Sequence, residues 1–314
     1  MLNVCFLNTV IVMLAIIIPF YKISFFEKTL QSLANQKDQR FKVYIGDDAS
    51  LNDPSELLQK YDGAFDFEYY RFENNLGGVS LTQQWERCIG LSQDEEWLMI
   101  LGDDDVLGPN VISSFYENLH VVLKLDLKLF RFASRIIDSS REFLSETYKH
   151  PEFELCTDSY FRNFNKQTRS SLSEYIFKRS SYIKHKFHDF PLGWHSDDMA
   201  WIDFTDGGFV YTINNAEVYI RISDESISGK IDNSILKNKA RRIFLMKISL
   251  KSKYTFTKVQ IIAFLFELGI LLKQQKMISI SIVSSIFFQF IKMGSVYDGF
   301  RFLRRMFRSI VFQK

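Results

Sequence analysis

The run Leu98-Met99-Ile100-Leu101-Gly102-Asp103-Asp104-Asp105 decides how the chain is read: four apolar residues, a glycine, then three consecutive carboxylates. A short apolar run that stops at a turn residue predicts a buried strand. Such a strand delivers its acids at its carboxyl end. Adjacent carboxylates repel one another, and a desolvated one is costly unless it is paired, so the triplet asks for a cation. Hard divalent ions such as Mg²⁺ or Mn²⁺ take oxygen ligands and also grip phosphate oxygens. The bland alternative is a solvated acidic turn, with Asp105 capping a helix that Pro109 opens.

Outward from that run, strand and helix alternate. Residues 13–18 read as a buried parallel strand. Ser24-Phe25-Phe26-Glu27 has the form of a capping box, with Phe26, Leu30 and Leu33 on one helical face. Residues 41–45 form a second strand ending in Gly46-Asp47-Asp48-Ala49-Ser50, and Asp53-Pro54-Ser55-Glu56 opens another helix. A third strand, 67–72, leads to Asn74-Asn75-Leu76-Gly77-Gly78; a helix over 79–91 and a fourth strand, 97–101, follow. This order predicts an α/β fold, a mostly parallel, Rossmann-like sheet flanked by helices. Ligands bind beyond the carboxyl ends of such strands, where Pro19 to Tyr21, Asp47-Asp48 and Asp103 to Asp105 converge. Neither GxGxxG nor a Walker A loop stands near the first strand, so a bound nucleotide would rest on carboxylates and a metal.

Composition narrows the class. With 314 residues, 46% of them hydrophobic and 31 of them Phe, the chain can bury a large core and is not a disordered segment. The net charge of +2 hides an asymmetry: of 39 Lys/Arg and 37 Asp/Glu, residues 241–314 hold 14 and 2, leaving 25 and 35 for the rest. An acidic body with a basic tail points to two jobs in one chain and away from nucleic acid in the acidic crevice. Cys5, Cys88 and Cys156 are odd in number, widely spaced and without metal-ligand spacing, as in a reducing compartment. Residues 1–18 lack a basic start and a small-x-small cleavage site, so 1–12 read as an extension rather than a signal peptide.

Ile16-Ile17-Ile18-Pro19-Phe20-Tyr21, Tyr44-Ile45-Gly46-Asp47-Asp48-Ala49-Ser50, Asn75-x-Gly77 and Gly102-Asp103-Asp104-Asp105 together resemble, in order and spacing, the nucleotide-diphospho-sugar domain of family 2 glycosyltransferases with the GT-A fold, over roughly residues 13–115. The resemblance implies that Pro19 and Tyr21 border the nucleoside pocket and that Asp48 bonds the base. It puts Asp103 at the ribose and Asp104 at a Mn²⁺ or Mg²⁺ ion, with Asp105 beside it as a second metal residue. Gln84 and Glu86 stand where relatives often carry asparagines around the tryptophan, and Trp85 reads as core.

The second half must supply a base for the acceptor hydroxyl. Pro191-Leu192-Gly193-Trp194-His195-Ser196-Asp197-Asp198-Met199-Ala200-Trp201 offers one: Ser196 reads as an N-cap, and the two acids then fall in the first helical turn. They could merely serve the helix dipole, but Trp194 and Trp201 beside them are the kind of faces that line sugar sites. By resemblance, the pair stands for the family's acidic pair, with Asp197 in the Glu place and Asp198 as the base. His195 reads as structural. Arg221, at the end of a strand over 217–223, is implied to hold the diphosphate, while Ser223 stands where many relatives have His. Residues 128–137 read as another strand; 138–190 mix short helices and charged loops, in which Arg169-Ser170-Ser171, Lys184-His185-Lys186 and His188-Asp189 are polar clusters that could meet an acceptor but carry no motif and read rather as surface decoration.

From about residue 231 the chain reads as helical. The apolar stretches 256–273 and 277–292 are interrupted before a comfortable spanning length, and the basic, bulky run 300–312 suits a helix lying on an anionic membrane surface. A helical subdomain packed on the body is the alternative. The expected organisation is an extension (1–12), a GT-A domain (13–230, divided at 115/116 into donor and acceptor halves) and a helical basic region (231–314). The expected function is a metal-dependent, inverting glycosyltransferase, using a nucleotide-diphospho-sugar and a glycan or lipid-linked glycan acceptor for bacterial surface polysaccharide. Its expected place is the cytoplasm, peripheral at the inner face of the membrane. A metal-dependent hydrolase of phosphoesters or sugar nucleotides, and an inactive membrane-associated binding protein, are the rival readings.

Overall fold

The computed structural model describes residues 14–140, 142–223, 233–250 and 254–311. The expected extension 1–12, residue 13 of the first strand, the loop 226–229 and residue 312 of the basic run lie outside the described residues. The first half alternates as β1 (Leu14–Phe20), α1 (Phe26–Ala34), β2 (Phe41–Asp47), α2 (Ser55–Gln59), β3 (Asp66–Arg71), α3 (Leu81–Ile89) and β4 (Trp97–Ile100). The four strands pair in parallel in the order β3-β2-β1-β4, with Pro19 opposite Gly46 and Phe20 opposite Asp47. Their carboxyl ends therefore share one edge.

Successive strand residues point to opposite faces, and both faces are covered. Ile16 and Ile18 join Phe26, Leu30 and Leu33 of α1, and Val111 and Phe115 of α4 (Val111–Lys124), in one core. Ala15 and Ile17 join Trp85 and Cys88 of α3 in a second. Burial on both sides is why β1 and β4 read as unbroken apolar runs. Helix α1 has Phe25 at its N-cap and no side-chain capping bond, so the capping box expected at Ser24 does not form; burial of its apolar face anchors it instead.

Beyond β4 the sheet is mixed. It adds β5 (Val106–Leu107), β6 (Leu129–Ile137), β7 (Phe153–Leu155), β8 (Tyr175–Lys178) and β9 (Phe209–Arg221). Strand β8 runs antiparallel to β4 and to β6; β9 lies parallel to β6 and antiparallel to β5 and β7. The first half of the sheet is thus wholly parallel, and beyond it the parallel pairing is that of β6 with β9. β7 and β8, with three and four residues, are too short to give a two-residue period.

Helices α5 (Cys156–Phe164), α6 (Arg179–His185) and α7 (Ser196–Phe204) lie between these strands, and α8 (Ser234–Leu250), α9 (Lys258–Gln274), α10 (Ile280–Lys292) and α11 (Val296–Val311) complete the chain. Phe244, Leu245 and Ile248 of α8 and Phe264 and Leu271 of α9 belong to the second core. Helices α10 and α11 close on α9 through a third, with Leu265, Leu268, Ile286, Phe290, Phe302 and Met306. Among the described residues no helix is long and apolar enough to cross a membrane.

Candidate active site

The turn after β4 is bolted to α1. Thr29 Oγ1 donates to the carbonyl oxygens of Asp103 (3.1 Å) and Asp105 (2.8 Å), and Asp103 Oδ2 accepts from the Tyr21 and Lys22 amides, each at 2.8 Å. Asp105 is 7% exposed. Its Oδ1 accepts from the Arg221 amide (2.9 Å) and its Oδ2 from Ser173 Oγ (2.6 Å). Both outer acids of the triplet thus have protein donors. Asp104 differs: its carboxylate has no hydrogen-bond donor among the described residues, while its carbonyl accepts from Arg221 Nε at 3.0 Å.

The electrostatics follow from that arrangement. Burial, and then the charges of Asp105 and Asp103, hold the Asp104 carboxyl well above the ordinary carboxylate range. Burial likewise raises Asp103 and Asp105, against the amide and hydroxyl donors that pull them down. Arg221 is 3% exposed, with Nε on the Asp104 carbonyl, Nη1 on the Asp138 carbonyl and its guanidinium 4.4 Å from the Phe25 ring. The group expected to meet a diphosphate therefore has two of its nitrogens spent on the backbone.

Asp48 also turns inward. It accepts from the Leu76 amide (2.7 Å), the Gly77 amide (2.9 Å) and the Arg87 guanidinium, and so ties the loop after β3 to the end of β2. Arg87 in turn donates to Gln84 Oε1, and Gln84 Nε2 to the Gly46 carbonyl (3.2 Å). Asp47 accepts from Ser50, Tyr69 and Arg71.

The second acid pair sits on α7. His195, not Ser196, is the N-cap, in the left-handed region with φ 69°; Leu192 and Gly193 before it are also left-handed, at 61° and 64°. Ser196 is instead the first helical residue, and its hydroxyl donates to the His188 carbonyl at 2.6 Å. Asp197 Oδ1 accepts from the Asp198 amide (2.9 Å), and His195 Nδ1 lies 2.7 Å from Asp198 Oδ2. Burial, followed by the neighbouring charge of Asp198, holds the Asp197 carboxyl well above its usual range. Gly193 permits the approach of this segment to α3: a Cβ there would stand 3.2 Å from both Leu81 and Trp85.

Asp103, Asp104, Asp105, Asp197 and Asp198 all line one cleft of about 550 Å³, together with Pro19, Trp194, His195 and Arg221. Tyr21, 39% exposed, and Asp48 are not in its lining. Trp201, expected to line the site beside Trp194, is core: it stacks on Tyr175 at 4.3 Å. Arg169, Ser170 and Ser171, read from the sequence as surface decoration, line the cleft instead. Arg169 is held there by buried Glu174 at 2.7 Å. Ser173, Lys22, Asn163 and Arg241 also line it and carried no sequence signal, since each is brought in by a different element.

Asp104 is the carboxylate of this cleft whose surroundings would fit a divalent cation: it has like charges on both sides and, among the described residues, no hydrogen-bond donor. Among the described residues no group of three or more His, Cys, Asp or Glu could hold an ion by itself.

Residues 15–121 match the family described as Glycosyl transferase family 2. No curated protein matches the chain in sequence. Among solved structures, S. aureus TarS 1–349 in complex with UDP-GlcNAc is similar with a TM-score of 0.62 and 14% identity, over 88% of this chain and 79% of that one. A longer TarS chain is covered over 44% of its length. The mannosyltransferase PcManGT from Pyrobaculum calidifontis, in complex with GDP-Man and Mn²⁺, gives 0.57 and 12% identity over 95% and 85%. GalNAc-T7 with UDP, GalNAc and Mn²⁺ gives 0.51 and 10% over 76% and 47%. These likenesses establish the GT-A fold.

Proposed function

We propose that this chain, whose residues 15–121 are a family 2 glycosyltransferase domain, moves a sugar from a nucleotide-diphospho-sugar to an acceptor hydroxyl with inversion. The observation that carries the reading is that the acids after β4 and the acids opening α7 line a single cleft. The donor lies at the β-strand ends, bordered by Pro19 and Tyr21; Asp103 takes the ribose, and Asp48 shapes the base side through the loop it holds. Asp104, with Asp105 beside it, would hold Mn²⁺ or Mg²⁺. Such an ion, when bound, offsets charge growing on the leaving diphosphate. Asp198 accepts the proton of the acceptor hydroxyl as that oxygen bonds to the anomeric carbon and the bond to the diphosphate breaks. Asp197, whose carboxyl burial and the charge of Asp198 raise above its usual range, stands beside it in the same turn. Arg221 braces the turn and borders the diphosphate.

The catalytic domain is 13–230 and the helical region 231–314. The acceptor is a glycan or lipid-linked glycan of bacterial surface polysaccharide, met at the inner face of the membrane. Support for that placement comes from α11, where Phe300 and Phe307 are exposed beside Arg301, Arg304 and Arg305 while Phe302 and Met306 face the core. Aromatic and basic residues on one outer surface match an anionic bilayer.

The test is a thermal-shift screen with UDP-GlcNAc and GDP-mannose, with and without Mn²⁺, because a ligand that binds the folded state raises its melting temperature. Asp104→Ala removes the Mn²⁺-dependent part of the rise, and Asp198→Asn keeps it while losing transfer. A Mn²⁺-dependent rise unchanged in Asp104→Ala would refute the metal role.

A further inference from the structure

We propose that His195 is a positioning residue, whose Nδ1–H donates to Asp198 Oδ2 and thereby selects Asp198, rather than Asp197, as the ionised member of the pair. The inference rests on the transferase reading above. Its geometric basis is the 2.7 Å contact between His195 Nδ1 and Asp198 Oδ2. An ionised carboxylate can only accept, so the shared proton sits on Nδ1. The other ring nitrogen, Nε2, is buried with no hydrogen-bond partner among the described residues. A neutral imidazole carrying its proton on Nδ1 leaves no orphaned N–H there, whereas the opposite tautomer would bury one and set Nδ1 lone pair against carboxylate.

The surroundings hold the ring in that pose. The imidazole stacks on Phe244 of α8 at 4.9 Å and 13°, and meets Tyr160 of α5 edge-on at 6.3 Å. The backbone at His195 is left-handed, a region uncommon for residues other than glycine in which His, with Asn and Asp, is enriched. That turn places the ring back over the first turn of its own helix. The charged groups lining the cleft with it include Asp197 and Asp198 on α7, Lys166 and Arg169, and Arg241 on α8, the last paired to Glu267 of α9 at 3.1 Å. Among the described residues Asp197 has no side-chain donor of this kind: its Oδ1 accepts from the amide of its neighbour. Two adjacent acids in one buried turn cannot both ionise cheaply, and a donor aimed at one of them breaks the tie.

The arrangement also gives α8 a part in the site. Phe244 belongs to the helical region after residue 231, yet it forms the floor under the ring that orients the base. His195 touches no reacting atom through Nε2, so its effect must pass through Asp198.

The test uses the full chain labelled with ¹⁵N-histidine. With five histidines in the sequence, the His195 signal is assigned by its loss in His195→Asn. The expected spectrum shows a protonated Nδ1 and a bare Nε2, with the Nδ1 proton signal lost or shifted in Asp198→Asn. A bare Nδ1, or a His195 signal unmoved by Asp198→Asn, overturns the proposal. Turnover gives the second readout: release of nucleoside diphosphate from whichever of UDP-GlcNAc and GDP-mannose stabilises the wild type more. His195→Phe keeps the stacking and loses the donor, and should lower kcat about 10- to 100-fold with the donor KM unchanged, the scale of an orienting contact. His195→Asn keeps an N–H at the Nδ1 position and tolerates the left-handed backbone, and should recover most of that loss. Wild-type kcat in His195→Phe, with Asp198→Asn inactive, refutes the role of His195 alone; full activity in Asp198→Asn refutes the base assignment beneath it.

Discussion

Asp48→Ala separates two things one carboxylate could do at this site. Asp48 is 4% exposed and accepts from the amides of Leu76 (2.7 Å) and Gly77 (2.9 Å) and from Arg87. Alanine would leave a guanidinium and two amides without that acceptor. Removing one partner of a buried ion pair costs about 3–5 kcal/mol, and a buried amide left unsatisfied costs about 1–3 kcal/mol. The Arg87 side chain is 19% exposed and also donates to the Asn74 side chain and carbonyl, which recovers part of the loss. The lower end, about 3 kcal/mol, is therefore expected for the set. Urea unfolding followed by tryptophan fluorescence should show a lower midpoint with an unchanged slope. Nucleotide-sugar affinity should fall with it, because the loop after β3 loses its anchor. Gly77→Ala is the companion variant: its Cβ would stand 2.6 Å from Asp48 Oδ2, so it disturbs the anchor while leaving the carboxylate in place. If Asp48→Ala changes stability by less than about 1 kcal/mol yet abolishes donor binding, the carboxylate acts on the ligand directly and the reasoning fails.

Gly46→Ala should destabilise the seam between β2 and α3 by about 1–3 kcal/mol, because its Cβ would lie 2.3 Å from buried Cys88 Sγ. Adding Cys88→Ala should recover much of that loss, and denaturation of the single and double variants checks the coupling. Metal-free protein should show a pH signature of Asp104. Its folded pKa is raised, so its contribution to stability is fully present below the unfolded value and is lost as pH rises through the folded one. Asp104→Asn cannot ionise, and its stability advantage over wild type should grow with pH above about 4 in metal-free buffer and shrink with Mn²⁺. A pH-independent difference between the two would count against the crowding of charge at that turn.

What the sequence determined by itself is the first half of the sheet and the identity of the acids. β1 and β4 are short apolar runs buried on both faces, and β2 is apolar apart from Lys42 and its closing Asp47, so pattern and position coincide. The acids at 103–105 and 197–198 stood out in the sequence as clusters at element ends, although a solvated turn and the helix dipole would also account for them. The sequence could not show which acids have donors, since those come from remote chain: Ser173 and Arg221 for Asp105, Leu76 and Gly77 for Asp48. It also could not show that Arg169 faces the cleft while Trp201 does not, because β7 and β8 are too short for periodicity and a tryptophan suits a core as well as a sugar. Tertiary structure alone decided these points, because hydrogen bonds and burial depend on which elements meet in space, and local pattern records only which face of each element is apolar.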